Sequence, residues 1–195
     1  MSVTPKLLLC SALVLGLAAA QPPKIPPRHT MTIKWSGQGF DYEHNRGYDI
    51  DNQLYRDQSI STRAPTTGQV MLQVLERPQL DQKAWQSDLQ RMVCTNWTFT
   101  SRINGFVNNF QNMVHEGVEI KDTVACDKWT AHFDSPPNPY NYSAWFDQKT
   151  GYPVAVYNSD DEAQGAVDGG IKHITNFNTD IPDDYFTCKS PCECQ

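Results

Sequence analysis

The sequence predicts a mainly β fold of the α+β type, in which an antiparallel sheet carries a helix on one face. Three observations support this. Short segments with alternating apolar and polar residues recur along the chain. Clusters of Gly, Pro, Asn and Asp separate those segments, as expected for turns. Only one stretch, residues 79–93, shows helical spacing of its apolar residues.

Residues 1–20 have the features of a secretory signal peptide. Lys6 precedes an apolar run from Leu7 to Leu17, and Ala18-Ala19-Ala20 provides the small residues that signal peptidase requires. The run is shorter than the roughly 20 residues needed to span a bilayer, so no transmembrane anchor is expected. The sequence therefore predicts a secreted, extracellular protein, and removal of Lys6 takes the net charge from −6 to −7.

The remaining chain is of single-domain size. Residues 21–29 form a proline-rich arm, which is expected to be extended because proline cannot join a helix or a central strand. Residues 30–187 are expected to form the β domain, and residues 188–195 a cysteine-rich tail. An acidic chain without a basic block is a poor candidate for binding nucleic acid.

The first half of the domain is predicted to contain four strand segments. Period-two alternation begins at Thr30, and Ser36–Gly39 and Asp51-Asn52 are turn sequences. A fourth segment is apolar on both faces, as in a central strand. The segments cover residues 30–35, 48–50, 53–62 and 69–76.

Residues 79–93 are predicted to form an amphipathic helix that covers the sheet. Apolar residues recur there at intervals of three to five, which places them on one helical stripe. The stripe consists of Leu80, Ala84, Trp85, Leu89 and Met92.

Short strands are predicted again after the helix, and a β-hairpin is the clearest local unit. Residues 142–146 and 152–157 are apolar runs that flank a short loop with a late glycine, Gly151. Pro153 lies at the start of the second strand, where a missing donor is tolerated. The other predicted strands are residues 97–101, 117–124, 128–133 and 172–177.

Five cysteines remain after removal of the leader, which carries Cys10. In an oxidising compartment they are expected to form disulfides, and the odd number leaves one free or bonded to another molecule. One scheme ties the tail back to Cys94 and Cys126; a zinc site in the tail is the less favoured alternative. The tail cysteines are Cys188, Cys192 and Cys194.

Asn96-Trp97-Thr98 and Asn141-Tyr142-Ser143 are glycosylation sequons, which predict that Asn96 and Asn141 lie on the surface.

No catalytic motif is found in the sequence. The histidines lack metal-ligand spacing, and no nucleophile–base signature occurs, so neither a catalytic site, a metal site nor a cofactor is expected. The acidic segments 160–162 and 168–170 lack the calcium-loop pattern, which leaves only weak calcium binding open.

The segment from Trp145 to Val154 resembles the hairpin of the LolA-type lipoprotein-carrier superfamily. The order of further features is similar to that of its secreted eukaryotic branch, the ependymin-related proteins. These features are Tyr48-Asp49, Tyr55-Arg56, a mid-chain cysteine, Asn176-Phe177 and Phe186-Thr187-Cys188. The resemblance implies a strongly curved, half-barrel sheet covering one or two helices, a hydrophobic pocket for lipid, a homodimer and no catalysis. The proline-rich arm and the Cys192/Cys194 tail depart from it.

Aromatic residues concentrate in the predicted strands, where they serve either as ordinary β core or as the lining of a pocket. The residues selected as pocket candidates are Trp97, Phe99, Trp129, Trp145 and Val154. The sequence thus favours a non-enzymatic binding protein for lipid or another apolar molecule. The alternative is a matrix or adhesion protein that acts through protein partners, with a hydrolase third.

Overall fold

The computed structural model describes residues 23–35, 42–63, 65–103, 113–134, 139–159 and 170–188. The predicted signal peptide, Cys192, Cys194 and the acidic segments at 160–162 and 168–169 lie outside these residues. The described residues form eleven strands: β1 (Arg28–Lys34), β2 (Tyr42–Asp49), β3 (Leu54–Ser61), β4 (Val70–Arg77), β5 (Lys83–Asp88), β6 (Val93–Thr98), β7 (Val114–Lys121), β8 (Val124–Phe133), β9 (Tyr140–Asp147), β10 (Pro153–Asn158) and β11 (Ile171–Asn178).

All eleven strands belong to one antiparallel sheet with the order β6-β5-β4-β3-β2-β1-β11-β10-β9-β8-β7. Each half is a meander of sequential strands, and the pairing of β1 with β11 joins the halves. In the described residues the sheet stays open, with β6 and β7 as its edges. The predicted antiparallel β architecture is therefore confirmed, whereas no described residues form a helix that covers the sheet.

The predicted helix at 79–93 is wrong. These residues form a turn, then β5, then the reversal into β6, which pairs Asp88 with Val93. Gln82 and Met92 both adopt a φ value of 56° in the left-handed region, which a continuous right-handed helix excludes. Trp85 is buried on one face of β5 and Ala84 on the other, while Leu80 is 68 % exposed.

The hairpin prediction is confirmed. β9 and β10 pair antiparallel around the loop, Gly151 has φ 71°, and Pro153 is the first residue of β10. The strand predicted at 117–124 is instead split between β7 and β8. Asp122 and Thr123 form the turn between them with positive φ values.

The sheet has two distinct faces, because side chains alternate along each strand. We call the face that carries Met31, Tyr48 and Phe146 the inner face, and the opposite one the outer face. Segment 23–27 contributes Ile25 to the core, so this part of the predicted arm packs against the sheet. At the other end, Tyr185 lies against Gly47 so closely that a Cβ there would be 2.2 Å from Cε1 of its ring.

Candidate functional site

The inner face holds the main apolar cluster of the protein. Its members come from both halves of the sheet and from the segments that border it. The buried members, which we call the inner apolar cluster, are Ile25, Met31, Ile33, Tyr48, Ile103, Met113, Trp129, Tyr142, Ala144, Phe146, Val156 and Ile174. Half-buried aromatic residues, Phe99, Phe133, Tyr140 and Phe177 among them, pack around it.

His29 lies within this apolar environment and is fully buried. Its ring is stacked between Tyr48, at 5.1 Å between centroids, and Phe177, at 5.2 Å. Nδ1 is 2.7 Å from the carbonyl oxygen of Pro26, whereas Nε2 has no hydrogen-bond partner among the described residues. Burial, offset in part by the bond to Pro26, lowers the pKa of His29 and keeps the ring neutral.

A polar cluster adjoins the apolar one on β2 and β3. Asp57 is its centre and accepts hydrogen bonds from His44 at 3.2 Å, Arg46 Nε at 3.1 Å and the Tyr55 hydroxyl at 3.1 Å. Strand register explains the arrangement, since Arg46 pairs with Asp57 and Tyr48 with Tyr55. We call Asp57, His44, Arg46 and Tyr55 the inner polar cluster, which adjoins the inner apolar cluster at Tyr48.

Electrostatics within the inner polar cluster favour a charged Asp57. Burial would raise its pKa, but the hydrogen bond from His44, the charge of Arg46 and the bond from Tyr55 outweigh burial and hold the pKa below its usual value. Burial raises the pKa of Tyr55 and of Glu76, and for Glu76 the charge of Asp57 adds to the effect. The cluster therefore places an ion pair beside neutral hydroxyl groups.

Gln53 fastens the bordering segment over one end of the inner face. Its side-chain amide donates to the carbonyl of Ile103 at 3.1 Å and accepts from the Ile103 N–H at 2.8 Å. The same amide donates to the Ile50 carbonyl at 2.6 Å. Because Gln53 is buried, these bonds fix the position of Ile103 within the inner apolar cluster.

The structure divides the predicted pocket residues between two faces. Trp129 is buried in the inner apolar cluster, and Phe99 packs against it. Trp145 and Val154 instead belong to a small outer cluster with Cys126 and Ala155. Trp97, on the edge strand β6, is 38 % exposed. Sequence alone could not assign these faces, because a shift of one residue in register reverses them.

Trp145 has polar surroundings on the outer face. Its indole Nε1 donates a hydrogen bond to Glu119 at 2.8 Å. The Nζ atoms of Lys121 and Lys128 lie 5.1 and 5.7 Å from the centroid of its ring. Nearby, an open groove of about 410 Å³ is bordered by residues such as Glu116, Lys128 and Asn141. Such a mixture of charged and polar groups does not suit an apolar ligand.

Asn96 and Asn141, the asparagines of the two sequons, are both exposed. The cysteines differ in their bonding. Cys94 and Cys188 are disulfide-bonded, whereas Cys126 is a free, buried thiol whose pKa is raised by burial and by nearby carboxylates. The suggested bond to Cys126 is therefore absent, because this thiol is enclosed against Trp145 and Ala155. The pairing of the other cysteines and glycosylation stay predictions.

Among the described residues, no group of three or more His, Cys, Asp or Glu side chains is placed to hold a metal ion. No helix in that part of the chain is long and apolar enough to cross a membrane.

Comparisons with known proteins give distant structural likenesses. No protein-family model matches the sequence, and no curated protein matches it. The fold is similar to that of the lipoprotein LppX of Mycobacterium tuberculosis, with 12 % identity and a TM-score of 0.45 over 80 % of this chain and 88 % of that one. It is also similar to a DUF1329 family protein of Desulfovibrio piger, with 13 % identity and a TM-score of 0.35 over 82 % and 87 % of the chains. These likenesses are too distant to support a functional conclusion.

Proposed function

We propose that this protein is a non-enzymatic binding protein that takes up an apolar or amphipathic small molecule on the inner face of its sheet. In keeping with the leader sequence, we place this activity outside the cell. The inner apolar cluster and the adjoining inner polar cluster together offer an apolar environment with a polar border, which is the usual composition of a small-molecule site.

One observation carries the proposal: buried polar nitrogen atoms without partners lie among the inner aromatic residues. They are Nε2 of His29 and Nε1 of Trp129. An unsatisfied buried polar group costs about 1–3 kcal/mol, so a purely structural core normally avoids it. A bound molecule that contributes a polar group next to these atoms removes that cost.

The adhesion alternative loses part of its motivation in this structure. It rested on an odd cysteine that could bridge to another molecule. Cys126 is the free thiol among the described cysteines, and its complete burial keeps it from reaching a partner. Homodimer formation remains part of the proposal, to be measured by sedimentation.

Fluorescence of N-phenyl-1-naphthylamine, an uncharged apolar probe, tests the proposal. We expect the wild-type protein to bind it and Ala144→Val to bind it less, because Ala144 lies on the inner face with no exposed surface. Ala155→Val is the matched control, since Ala155 is equally buried but lies in the outer cluster. Absence of probe binding by the wild-type protein, or equal losses in the two variants, would reject the proposal.

A further inference from the structure

The neutral His29 ring has one fixed arrangement of its proton. The Pro26 carbonyl oxygen, 2.7 Å from Nδ1, can only accept a hydrogen bond, so Nδ1 must carry the hydrogen. In a neutral imidazole the other nitrogen then carries a lone pair. Nε2 is therefore a buried hydrogen-bond acceptor without a donor among the described residues.

The surroundings of His29 limit how a donor can reach Nε2. Tyr48 on β2 and Phe177 on β11 flank the ring from the two neighbouring strands, with interplanar angles of 27° and 15°. Because the lone pair of Nε2 lies in the plane of the ring, a donor must approach at the edge of the ring. His29 shares the inner face with Met31 and Ile33 by strand alternation, so a molecule that reaches this edge is itself surrounded by apolar side chains.

These constraints distinguish between classes of apolar ligand. A hydroxyl group donates a hydrogen bond to Nε2, whereas an ether, an ester or an ionised carboxylate has only acceptor oxygens and leaves Nε2 unsatisfied. Sites that bury a polar group discriminate strongly against ligands that leave it unpaired. A second acceptor beside Nε2 would add electrostatic repulsion in a surrounding of low dielectric constant.

We propose that His29 is a specificity-determining residue which selects apolar alcohols, by accepting a hydrogen bond from the ligand hydroxyl at Nε2. The inference rests on the proposed inner-face binding function and adds the chemical class of the ligand. The hydrocarbon part of the alcohol would lie against the inner apolar cluster.

Two isomers, 1-dodecanol and methyl undecyl ether, provide the test. They have the same atomic composition, but the oxygen of the alcohol carries a hydrogen, whereas the oxygen of the ether is bonded to two carbons. Each is titrated against protein loaded with N-phenyl-1-naphthylamine, and displacement is followed by fluorescence. We expect 1-dodecanol to compete about tenfold more strongly, in line with one neutral hydrogen bond made or lost in a buried site. Dodecanoate at neutral pH is expected to compete less well than the alcohol.

Two substitutions test whether His29 causes the preference for the alcohol over the ether. His29→Phe retains a ring between Tyr48 and Phe177 but lacks the acceptor, so it should bind both isomers with equal affinity. His173→Phe is the matched control on the outer face of the sheet, where the half-buried ring contacts Asp122. It should keep the wild-type preference.

The outcomes separate the two proposals. If neither the probe nor the isomers bind wild-type protein, the binding function itself is rejected. If both isomers displace the probe equally well, the binding function stands and the role of His29 is overturned; this is also the result expected if a buried water satisfies Nε2. The comparison of isomers on wild-type protein gives this decision even if His29→Phe fails to fold.

Discussion

At the scale of single residues, polar side chains on the inner face of the sheet make hydrogen bonds that fix the positions of their neighbours. Asp57 is held charged by three donors, and Gln53 satisfies both backbone groups of Ile103. The sequence did not single these residues out as a site. A polar residue in an alternating strand normally predicts a solvent-facing position, and only the register of β2 against β3 reveals that Arg46 and Asp57 meet on the inner face.

His29 should make the stability of the protein depend on pH. Its folded-state pKa lies below the ordinary value of 6.5, so the unfolded chain binds the proton more readily. Stability is therefore expected to fall as the pH drops below about 6.5 and towards the lower folded-state pKa. His29→Gln should flatten this part of the profile, as measured by urea midpoints at pH 7.5, 6.5 and 5.5.

His132 provides a control of opposite sign. Its hydrogen bond with Asn141 and its contacts with Asp134 raise its pKa, so its contribution is present at low pH and is lost as the pH rises through the raised folded-state value. His132→Gln should therefore steepen the loss towards acid. Identical profiles for wild-type protein and His29→Gln would contradict the burial of a neutral His29.

At the scale of elements, local patterns found most strands but failed at β5. The hairpin β9–β10 was predictable because its signals, a late glycine and two alternating runs, are contained within about 16 residues. The spacing of the apolar residues at 80, 84, 85, 89 and 92 is compatible with a helical stripe when it is judged from the sequence alone. They belong instead to a strand and its two flanking turns, and pairing with β4 and β6 decides the conformation of the strand.

A pair of substitutions distinguishes the strand from the helix that its spacing suggests. Trp85→Ala should destabilise the protein by about 3–5 kcal/mol, because its side chain is 2 % exposed. Leu80→Ala should change stability by no more than about 0.5 kcal/mol, because Leu80 lies in an exposed turn. Both residues would share one buried stripe in a helix, so similar losses in urea unfolding would count against the strand.

At the scale of the whole molecule, the pairing of β1 with β11 joins the two meanders into one sheet within the described part of the chain. Ile33 pairs with Ile174 across this junction and with His44 on the other side. The sequence predicts β1 and β11 as strands but contains no local signal that they are neighbours, because about 140 residues separate them. The orientation of Trp129 and Trp145 towards opposite faces was hidden for a different reason, because a shift of one residue in register reverses the faces of a strand.

Disruption of the junction should therefore destabilise both halves together. We expect Ile33→Asn to accelerate amide hydrogen exchange in β4 and in β9 to similar extents, because Ile33 is buried where the halves meet. Ile120→Asn, on the edge strand β7 and 72 % exposed, is the control and should leave β4 unchanged. Exchange that increases in one half alone would show that the halves unfold independently.

The strand order also bears on how the chain reaches its native state. Nine of the ten strand pairings join consecutive strands and can form as soon as each local reversal closes. The β1–β11 pairing alone requires the ends of the two meanders to find each other, and loop-closure entropy opposes it. Contacts of such high sequence separation slow folding, so the last step to complete the sheet is expected to be the meeting of two preformed meanders.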